Sequence, residues 1–474
     1  MLRCTILTQK DPVFITWSVY LTPSICKARL NRATIQTEFQ VKVYLVGGAV
    51  RDKLLNIPNQ DYDYVVVGST VEEMLSRGFH QVGNSFPVFL EPKTKDEYAL
   101  ARKEKKEGHG YNGFCFDFSP DITLEEDLVR RDLTINAIAE DENGNIIDPC
   151  GGQEDLKNRI LRHIGPSFSE DPLRVLRVAR FAARFHHLGF SIAPETMELM
   201  KTMVKQGEID FLTPERIFLE FENVLHKGAL DVFVRILREC GALKVIFPEL
   251  DALYGIPARK HWHPEVDTGI HMELCLKYAC EHNYQPIEKF ALFCHDFGKA
   301  LSDKNLLPSH TNHGKKGVPL IENFCDRLRI PNHYRKVANL VASEHSFVHL
   351  ALYKTEDQLL QLLKNIDAFR NPDNVGYLTN CCRADFHGRL GFENLPYTHA
   401  QLVDDIFDAI KELKPTEFFK QGYRGIEISR KLDESRLKVM AEFRPIWNEN
   451  HAEEIKAERK EDPEWIKIKQ SQNR

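Results

Sequence analysis

Residues 43–55 read VYLVGGAVRDKLL, and residues 60–67 read QDYDYVVV. In the first stretch an apolar strand enters a glycine pair and a helix leaves it, while the second stretch opens another apolar strand. Apolar runs at 87–90 and 146–147 predict further strands. Together these runs predict an α/β head domain at residues 42–168, in a chain of the α+β class.

The glycine pair is the first candidate binding site. Gly47 and Gly48 let backbone N–H groups approach a phosphate group at the start of the helix, where Arg51 supplies a counter-charge. Taken alone, the same pattern is also typical of an ordinary tight turn between a strand and a helix. The residues that follow decide between these two interpretations.

A pair of aspartates heads the second strand. Asp61 and Asp63 are two residues apart, so both carboxylates lie on one face of the strand and Tyr62 and Tyr64 on the other. Two adjacent ionised carboxylates repel each other, and a divalent cation between them removes the repulsion. Phosphoryl-transfer enzymes hold Mg²⁺ in this way. After the glycine motif, this spacing predicts a catalytic Mg²⁺ site rather than an exposed strand end.

An arginine pair follows in residues 125–137, which read EEDLVRRDLTINA. Guanidinium groups bind phosphate oxygens through two parallel hydrogen bonds, so Arg130 and Arg131 suit a triphosphate. The stretch on its own fits an ordinary solvated turn at the start of a helix equally well.

Residues 170–181 read EDPLRVLRVARF and predict a helix with Pro172 in its first turn. Its arginines recur every three residues, opposite an apolar side, and arginines on a buried helix need partners. Asp171 and Arg174 are one turn apart and offer an acceptor and donors for the edge of a nucleotide base. A salt-bridged structural helix is the alternative. The remaining arginines of the stripe are Arg177 and Arg180.

Histidines and an aspartate mark a second chemistry after residue 264. A buried histidine beside an aspartate is costly unless the two are paired or bind a metal. Imidazole and carboxylate ligands without sulfur suit Ni²⁺, Co²⁺, Mn²⁺ or Fe²⁺. Any one of these histidines alone is more typical of a core position. The ordered set comprises His271, His295, Asp296, His313 (with His310 as the alternative), His345 and Asp367.

These motifs, in this order, resemble the bacterial CCA-adding enzymes, tRNA nucleotidyltransferases whose template is protein rather than nucleic acid. The resemblance implies addition of C, C and A to the tRNA 3′ end from CTP and ATP. It implies Mg²⁺ on Asp61 and Asp63, base selection by Asp171 and Arg174, and a third carboxylate for which Glu97 is the candidate. Further nucleotide contacts are implied for Gly48, Arg51, Arg131, Arg177 and Arg180.

The histidine set resembles the HD phosphohydrolase superfamily, with His271, His295, Asp296, His313 and Asp367 as ligands. In one subgroup of the CCA-adding enzymes such a domain confers phosphatase, 2′-nucleotidase and 2′,3′-cyclic phosphodiesterase activities, with a transition metal such as Ni²⁺. The resemblance therefore implies a second, hydrolytic activity in this chain.

Strand patterns nearly vanish after residue 171, and helical spacing takes over. We expect a leader at 1–41 that is disordered or reflects a start site placed too early. The expected order behind the head is a helical neck or RNA-binding body at 169–262, a helical HD domain at 263–370 and a helical C-terminal region and tail at 371–474.

Composition sets wider limits on function. The net charge of −6 gives no global sign of nucleic-acid binding, so RNA contacts must come from local patches. No apolar run approaches the ~18 residues that a membrane span needs. The 11 cysteines form no C-x-x-C pair, which favours a reducing cytoplasm.

Rival functions share the head motifs. A bacterial poly(A) polymerase and an enzyme that adds only CC or only A are the enzymatic alternatives. A non-catalytic tRNA-binding protein is the alternative of another class. The sequence leaves open whether the protein is a monomer or a homodimer.

Overall fold

A computed structural model describes residues 41–59, 61–82, 88–106, 114–260 and 263–460 of the chain. The predicted leader lies outside the described residues apart from its last position. Within the described residues, eleven strands form, and all but the last lie in the head. They are β1 (Lys42–Val46), β2 (Asp63–Val67), β3 (His80–Val82), β4 (Val88–Leu90), β5 (Glu97–Leu100), β6 (Lys103–Lys106), β7 (Phe114–Asp117), β8 (Ala139–Glu140), β9 (Ile146–Ile147), β10 (Ile160–Leu161) and β11 (Ser191–Ile192).

The main sheet has seven strands in the order β3-β4-β5-β2-β1-β8-β9. Strands β1 and β2 are antiparallel, whereas β2 and β5 are parallel, so the sheet is mixed. Val65 and Val66 of β2 are both 2% exposed, which anchors this strand in the centre of the sheet. The position of β2 brings the start of β2 beside the start of β5.

In the part of the chain that the structure describes, four short helices belong to the head and sixteen follow it. The head helices are α1 (Gly48–Leu54), α2 (Val71–Ser76), α3 (Leu124–Val129) and α4 (Gly152–Asn158). The next helices are α5 (Leu173–Phe185), α6 (Pro194–Lys205), α7 (Pro214–Lys227), α8 (Leu230–Cys240), α9 (Ala242–Ile246), α10 (Pro248–Asp251), α11 (Thr268–Glu281), α12 (Pro286–Cys294), α13 (His313–Arg327) and α14 (Asn332–Val348). The last six are α15 (Glu356–Asn365), α16 (Asp373–His387), α17 (Thr398–Ile410), α18 (Thr416–Lys420), α19 (Ile426–Asn450) and α20 (Ala452–Lys460).

The α+β class, with an α/β head and a mainly helical remainder, is therefore confirmed. Helix α5 begins at Leu173, so Pro172 is its N-cap residue rather than part of its first turn, and Asp171 accepts a hydrogen bond from Leu173 N at 3.1 Å. Its apolar side, including Val175 and Leu176, is fully buried. None of the described helices combines the length and the apolar character needed to cross a membrane.

One buried apolar cluster runs from Val50 in α1 to Ile455 in α20. Phenylalanines form its middle: the ring of Phe221 in α7 lies 5.1 Å from Phe247 and 5.0 Å from Phe293 in α12. The core thus passes without a break across residue 262, where the sequence predicts a domain boundary. The boundaries at 168, 262 and 370 stay predictions.

Two candidate functional sites

The first site begins with carboxylates at the head of two parallel strands. Asp63 of β2 and Glu97 of β5 are register partners, so both side chains lie on one face of the sheet. Their neighbours Tyr64 and Tyr98 stack at 4.6 Å between ring centroids. Asp61 precedes β2 by two residues, and the Asn59 side chain donates to its carbonyl oxygen at 2.6 Å.

These carboxylates repel one another. Burial raises the pKa of Asp63, and the charge of Asp61 raises it further, while Arg131 opposes the rise. Burial and the charges of Asp63 and Asp61 also raise the pKa of Glu97. A divalent cation would relieve this repulsion, and an all-oxygen donor set is the one Mg²⁺ prefers. The residues present therefore fit Mg²⁺.

The glycine turn is shaped by the arginine motif. Gly47 has a φ of +64°, and a Cβ atom there would lie 2.8 Å from Nη1 of Arg131. Its N–H donates to the Ile138 carbonyl at 3.0 Å. Gly47 is thus the position where only glycine fits, and Gly48 begins α1 behind it.

A chain of hydrogen bonds joins three of the four head motifs. Arg51 Nη1 donates to Asn136 Oδ1 at 2.5 Å, and Asn136 Nδ2 donates to Asp132 Oδ1 at 2.9 Å. Arg177 Nε donates to Asp132 Oδ2 at 2.7 Å. Although burial alone would raise it, Arg177 and Asn136 hold the pKa of Asp132 well below its ordinary value. The sequence analysis did not predict that Asp132 and Asn136 link Arg51 to Arg177. The available signal was the presence of two polar residues among the apolar residues of this motif.

Arg51 also clamps α1 to α5. Its guanidinium lies 5.2 Å from the ring centroid of Phe181 and 5.0 Å from that of Phe185. The side chain of Asp52 pairs with Arg51 at 2.8 Å and with Arg184 at 2.9 Å. Arg51 is only 3% exposed, so its first role is to hold the two helices together.

The predicted base-reading pair is separated by other partners. Arg174 donates to the carbonyl oxygens of Ser167 at 2.8 Å and Arg130 at 2.6 Å. Asp171 Oδ2 instead accepts from Arg216 of α7 at 2.7 Å. No sequence pattern connects Arg216 with Asp171, because 45 residues separate them.

A cavity of about 550 Å³ collects these groups on one side of the sheet. Nine arginines and four carboxylates line the cavity, Asp63 and Glu97 of the sheet among them, an excess of positive charge that suits a triphosphate. Asp61 is not among its lining residues, although its charge acts on both wall carboxylates. The cavity is lined by Gly48, Asp63, Glu97, Asp171, Arg51, Arg131, Arg174, Arg177, Arg180, Arg184 and Arg216, among others.

The second site lies where five helical segments meet. His313 Nε2 is 2.9 Å from His345 Nε2 and 3.2 Å from Asp296 Oδ1. His295 Nε2 is 3.4 Å from Asp296 Oδ2. His271 is fully buried beside them; ligand atoms of His271, His295 and Asp296 lie within 4.8 Å of one another, and so do those of Asp296, His313 and His345.

Backbone carbonyls fix the tautomers of three histidines. The Nδ1 atoms of His295, His313 and His345 lie 2.6, 2.8 and 2.9 Å from the carbonyl oxygens of residues 292, 310 and 342. Each Nδ1 therefore carries the proton, and each Nε2 turns a lone pair toward the cluster. Lone pairs of His313 and His345 at 2.9 Å repel unless a cation binds both. Neighbouring ligands on an octahedral ion with bonds of ~2.1 Å are about 3 Å apart.

Buried polar atoms without partners also indicate a cation-binding site in this cluster. His295 Nε2 and both carboxylate oxygens of Asp296 are buried without a hydrogen-bond partner among the described residues. Lys299 Nζ lies 2.5 Å from Oδ2 of Asp296, and His313 Nε2 lies 3.2 Å from Oδ1. Leaving three polar atoms of two adjacent residues unsatisfied is costly. This donor set of imidazoles and carboxylates fits a transition metal.

The prediction that Asp367 is a ligand is wrong. Its half-exposed carboxylate accepts a hydrogen bond from Asn371 at 2.7 Å and faces Arg370. Asp385 of α16 takes the place in the cluster, with Oδ1 2.9 Å from His271 Nε2. Asp385 is buried on a helix with an apolar side, and this pattern could have marked it as a ligand. The spacing of the motif along the chain favoured Asp367 instead. The site therefore extends beyond the predicted domain boundary at residue 370.

The directions of the ring nitrogens decide whether His310 or His313 belongs to the cluster. His310 Nδ1 lies 2.7 Å from the hydroxyl of Ser302, and its Nε2 lies 3.1 Å from the carbonyl of Pro257. Both ring nitrogens are thus occupied outside the cluster. His313 turns its Nε2 into the cluster. A cavity of about 550 Å³ opens over His313, with Arg259, Lys299, Lys315 and Arg389 in its wall.

A mixed sheet with carboxylates facing a group of arginines, followed by helices, defines a nucleotidyltransferase head with a helical body. Comparison with known families agrees. Residues 43–162 match the poly A polymerase head domain. Residues 189–254 match the probable RNA and SrmB-binding site of polymerase A.

The sequence is 51% identical over 409 residues to the multifunctional CCA protein of Tolumonas auensis, covering 86% of this chain and all of that protein. The chain therefore belongs to the CCA-adding family of tRNA nucleotidyltransferases. Solved structures share the fold. A CCA-adding enzyme with CTP matches at 23% identity over 85% of this chain and 88% of that one, with a TM-score of 0.56. A CCA-adding enzyme with ATP matches at 23% identity over 84% of this chain and 86% of that one, with a TM-score of 0.56. The Bacillus stearothermophilus CCA-adding enzyme with CTP matches at 23% identity over 85% of this chain and 89% of that one, with a TM-score of 0.55.

Proposed function

We propose that the head cavity adds and repairs the 3′-terminal CCA of tRNA from CTP and ATP. The observation that supports this most is the shared cavity, in which Asp63 and Glu97 face the arginines of α5. The similar protein from Tolumonas auensis is named a multifunctional CCA protein. Fold neighbours were solved with CTP and with ATP.

In this proposal the carboxylates and arginines divide the work. Asp61 and Asp63, with Glu97 beside them, would hold Mg²⁺, which when bound supplies charge at the attacking 3′-hydroxyl and the triphosphate. The arginine wall, including Arg177 and Arg180, binds the triphosphate and the leaving pyrophosphate. Because phosphoryl transfer needs little covalent help, position and charge account for most of the rate.

Base selection would belong to the far end of the cavity. Asp171 accepts and Arg174 donates, so the two read the edge of one base at a time. Gly48, Arg51 and Arg131 complete the nucleotide contacts in this proposal, although Arg51 acts mainly through α5. Pairing of Asp171 with Arg216 adds a third residue to this end.

The test is an extension assay with tRNA transcripts that end before CCA, after C and after CC. Wild-type protein with Mg²⁺, CTP and ATP is expected to add the missing residues and stop, while Asp61→Asn loses the reaction. Long adenosine tails on unrelated RNAs would instead support a poly(A) polymerase. Stopping after CC, or adding A alone, would support a partial enzyme, and tRNA binding without extension would support a binding protein.

We also propose that the histidine–aspartate cluster is a metal-dependent phosphohydrolase centre. His271, His295, Asp296, His313 and Asp385 would hold the ion, with His345 beside them, and Ni²⁺ is our preferred metal. A bound ion supplies an activated water for attack on phosphorus. The cationic wall of the cavity suits phosphate esters, including 2′-phosphates and 2′,3′-cyclic phosphates.

Hydrolysis of 2′,3′-cyclic AMP and 2′-AMP, with and without Ni²⁺, tests this second activity. We expect turnover that is lost in Asp296→Asn and retained in Asp61→Asn. Equal turnover in wild-type protein and Asp296→Asn would remove the hydrolase from the proposal and leave the transferase intact.

We propose the cytoplasm as the site of action. Eight cysteines within the described residues carry no disulfide, as expected for a reducing compartment. Whether the enzyme works as a monomer or a homodimer is measurable by sedimentation at micromolar concentration.

A further inference from the structure

A continuous chain of five side chains leads away from the metal-ligand cluster on both sides. Glu265 Oε1 lies 2.9 Å from His271 Nδ1, and His271 Nε2 lies 2.9 Å from Asp385 Oδ1. Asp385 Oδ2 lies 2.7 Å from His349 Nε2. The last link joins His349 Nδ1 to the Tyr397 hydroxyl at 2.6 Å. Every link has hydrogen-bond length.

The chain is buried and comes from distant segments. Glu265 precedes α11, His349 follows α14, and Tyr397 precedes α17. His271 and Asp385, on α11 and α16, are separated by 114 residues. The side chain of Glu265 is 1% exposed, and Tyr397 is 8% exposed.

The order of donors and acceptors follows from the links. Glu265 accepts the Nδ1 proton of His271, which leaves a lone pair on Nε2 for an ion. His349 donates its Nε2 proton to Oδ2 of Asp385 and accepts the Tyr397 hydroxyl proton at Nδ1. Oδ2 of Asp385 thus accepts the His349 proton and lies 3.9 Å from His295 Nε2, while Oδ1 lies 2.9 Å from His271 Nε2.

We propose that Glu265, His349 and Tyr397 are positioning residues that hold His271 and Asp385 in the geometry of the metal centre. This inference rests on the proposed metal centre. Carboxylate and imidazole partners of metal ligands orient those ligands and raise metal affinity. Here one partner acts on each ligand, and Tyr397 fixes the tautomer of the partner His349.

A purely structural network is the competing explanation. Two features favour positioning. Both His271 and Asp385 turn one atom toward the group of unsatisfied atoms at His295 and Asp296, with Asp385 Oδ2 3.9 Å from His295 Nε2. Buried charged networks are also seldom needed for stability, since apolar residues of similar volume often serve as well. Arg389 Nη2, 3.4 Å from Asp385 Oδ1, adds charge on the same side.

The test measures metal binding rather than turnover. We would determine the affinity of the purified full-length chain for Ni²⁺ and Co²⁺ by competition with a chelator, and record the visible spectrum of bound Co²⁺. The variants are His349→Leu, His349→Gln, Tyr397→Phe and Glu265→Leu. Tyr334→Phe is the matched control, since it removes another buried tyrosine hydroxyl, bonded to Glu222 at 3.3 Å. Thermal unfolding of the metal-free proteins reports on folding.

We expect His349→Leu and Glu265→Leu to weaken binding by about 10- to 100-fold and to change the Co²⁺ spectrum. His349→Gln, which keeps a donor toward Asp385, should recover part of the affinity. Tyr397→Phe should weaken binding less than His349→Leu, and Tyr334→Phe should leave affinity and spectrum unchanged.

Wild-type affinity and spectrum in His349→Leu and Tyr397→Phe would overturn the inference while leaving the metal centre in place. If His349→Leu or Glu265→Leu fails to fold, Tyr397→Phe decides the test, because it removes only one hydroxyl group. Wild-type protein that binds neither ion would overturn the metal centre and this inference together.

Discussion

At the scale of single residues, paired charges organise the nucleotide cavity. Asp132 bonds to Arg177, and Glu220 pairs with Arg180 at 2.5 Å. Each carboxylate is buried, so each arginine is oriented by a buried acidic partner, and Asp132 also lines the cavity. The arginine stripe of α5 is therefore preorganised, and loss of its partners should be felt in stability as well as in activity.

Asp132→Asn should destabilise the protein at neutral pH by about 2 kcal/mol, because a charged hydrogen-bond pair is lost. The pKa of Asp132 in the folded state lies below the unfolded value of ~3.9. Its carboxylate thus contributes stability above that pH and loses it as the pH falls. Urea unfolding at pH 7 and at pH values down to 3.5 should show the difference between wild type and variant shrinking with acid.

Glu154→Gln is the control for this experiment. Glu154 pairs with Lys157 at 4.0 Å, and both side chains are exposed. We expect a change within about 0.5 kcal/mol at every pH. A difference between wild type and Asp132→Asn that does not vary with pH would contradict the assignment.

Arg216→Ala should disturb base selection, because it frees the Asp171 carboxylate from its partner at 2.7 Å. We expect kcat/KM for CTP and ATP on the matching tRNA ends to fall by about tenfold, which is ~1.4 kcal/mol. Incorporation of UTP relative to CTP should rise. Arg235→Ala, which breaks an Arg–Asp pair at 2.8 Å on α8, should change neither quantity. Unaltered selectivity between CTP and UTP in Arg216→Ala would show that Asp171 does not need Arg216 for base selection.

At the scale of elements, close approach between segments builds the histidine–aspartate cluster. The 3₁₀ turn Phe297–Leu301 follows the His295–Asp296 pair and packs on the first turn of α13. A Cβ atom on Gly298 would overlap the carbonyl oxygen of His313 and lie 2.6 Å from Gly317 N. Glycine at 298 is what lets Asp296 and His313 approach each other.

Gly298→Ala should therefore push the turn away from α13 and weaken Ni²⁺ binding by at least tenfold, together with a loss of stability of about 2 kcal/mol or more. Calorimetric titration with Ni²⁺ and thermal unfolding measure the two effects. Gly376→Ala is the matched change, because a Cβ there, inside α16, meets nothing within 4 Å. It should stabilise the helix by up to about 1 kcal/mol. Normal Ni²⁺ affinity in Gly298→Ala would show that the two segments can separate without loss of the site.

At the scale of the whole molecule, the two sites share one apolar core. Helix α7 presents Arg216 to the nucleotide cavity and pairs its Glu220 with Arg180, while its Phe221 packs on Phe293 of α12 at 5.0 Å. Lys289 Nζ of α12 donates to the carbonyl of Leu225 in α7 at 3.1 Å. The helix that contributes Arg216 to the nucleotide cavity therefore also packs against α12, which leads to His295 and Asp296 of the histidine–aspartate cluster.

A chain cut after residue 262 should not fold as two independent halves. The fragment 41–262 would expose the Phe221 face of α7, an apolar patch with no cover. We expect this fragment to bind the dye ANS and to lose near-ultraviolet circular dichroism, as partly folded states do. Co-expression with residues 263–474 should restore the native signals. A compact, cooperatively unfolding fragment would instead support the boundary predicted from the sequence.

The sequence by itself determined those features that backbone geometry fixes over short distances. Asp61 and Asp63 share a face because strand side chains alternate, and the arginines of α5 share a side because of helical spacing. The α+β class followed from such local patterns, and the family from the order of the motifs. Of the predicted nucleotide-site residues, all but Asp61 line the cavity, whereas Asp132, Arg184 and Arg216 line it without having been predicted.

Only the tertiary structure decided which distant groups meet. Asp385 rather than Asp367 joins His271 across 114 residues, and Arg216 reaches Asp171 across 45. Glu265, His349 and Tyr397 carry no motif that marks them. Their positions depend on how the helices pack around a shared core. Spacing along the chain does not tell how far apart two residues lie in space.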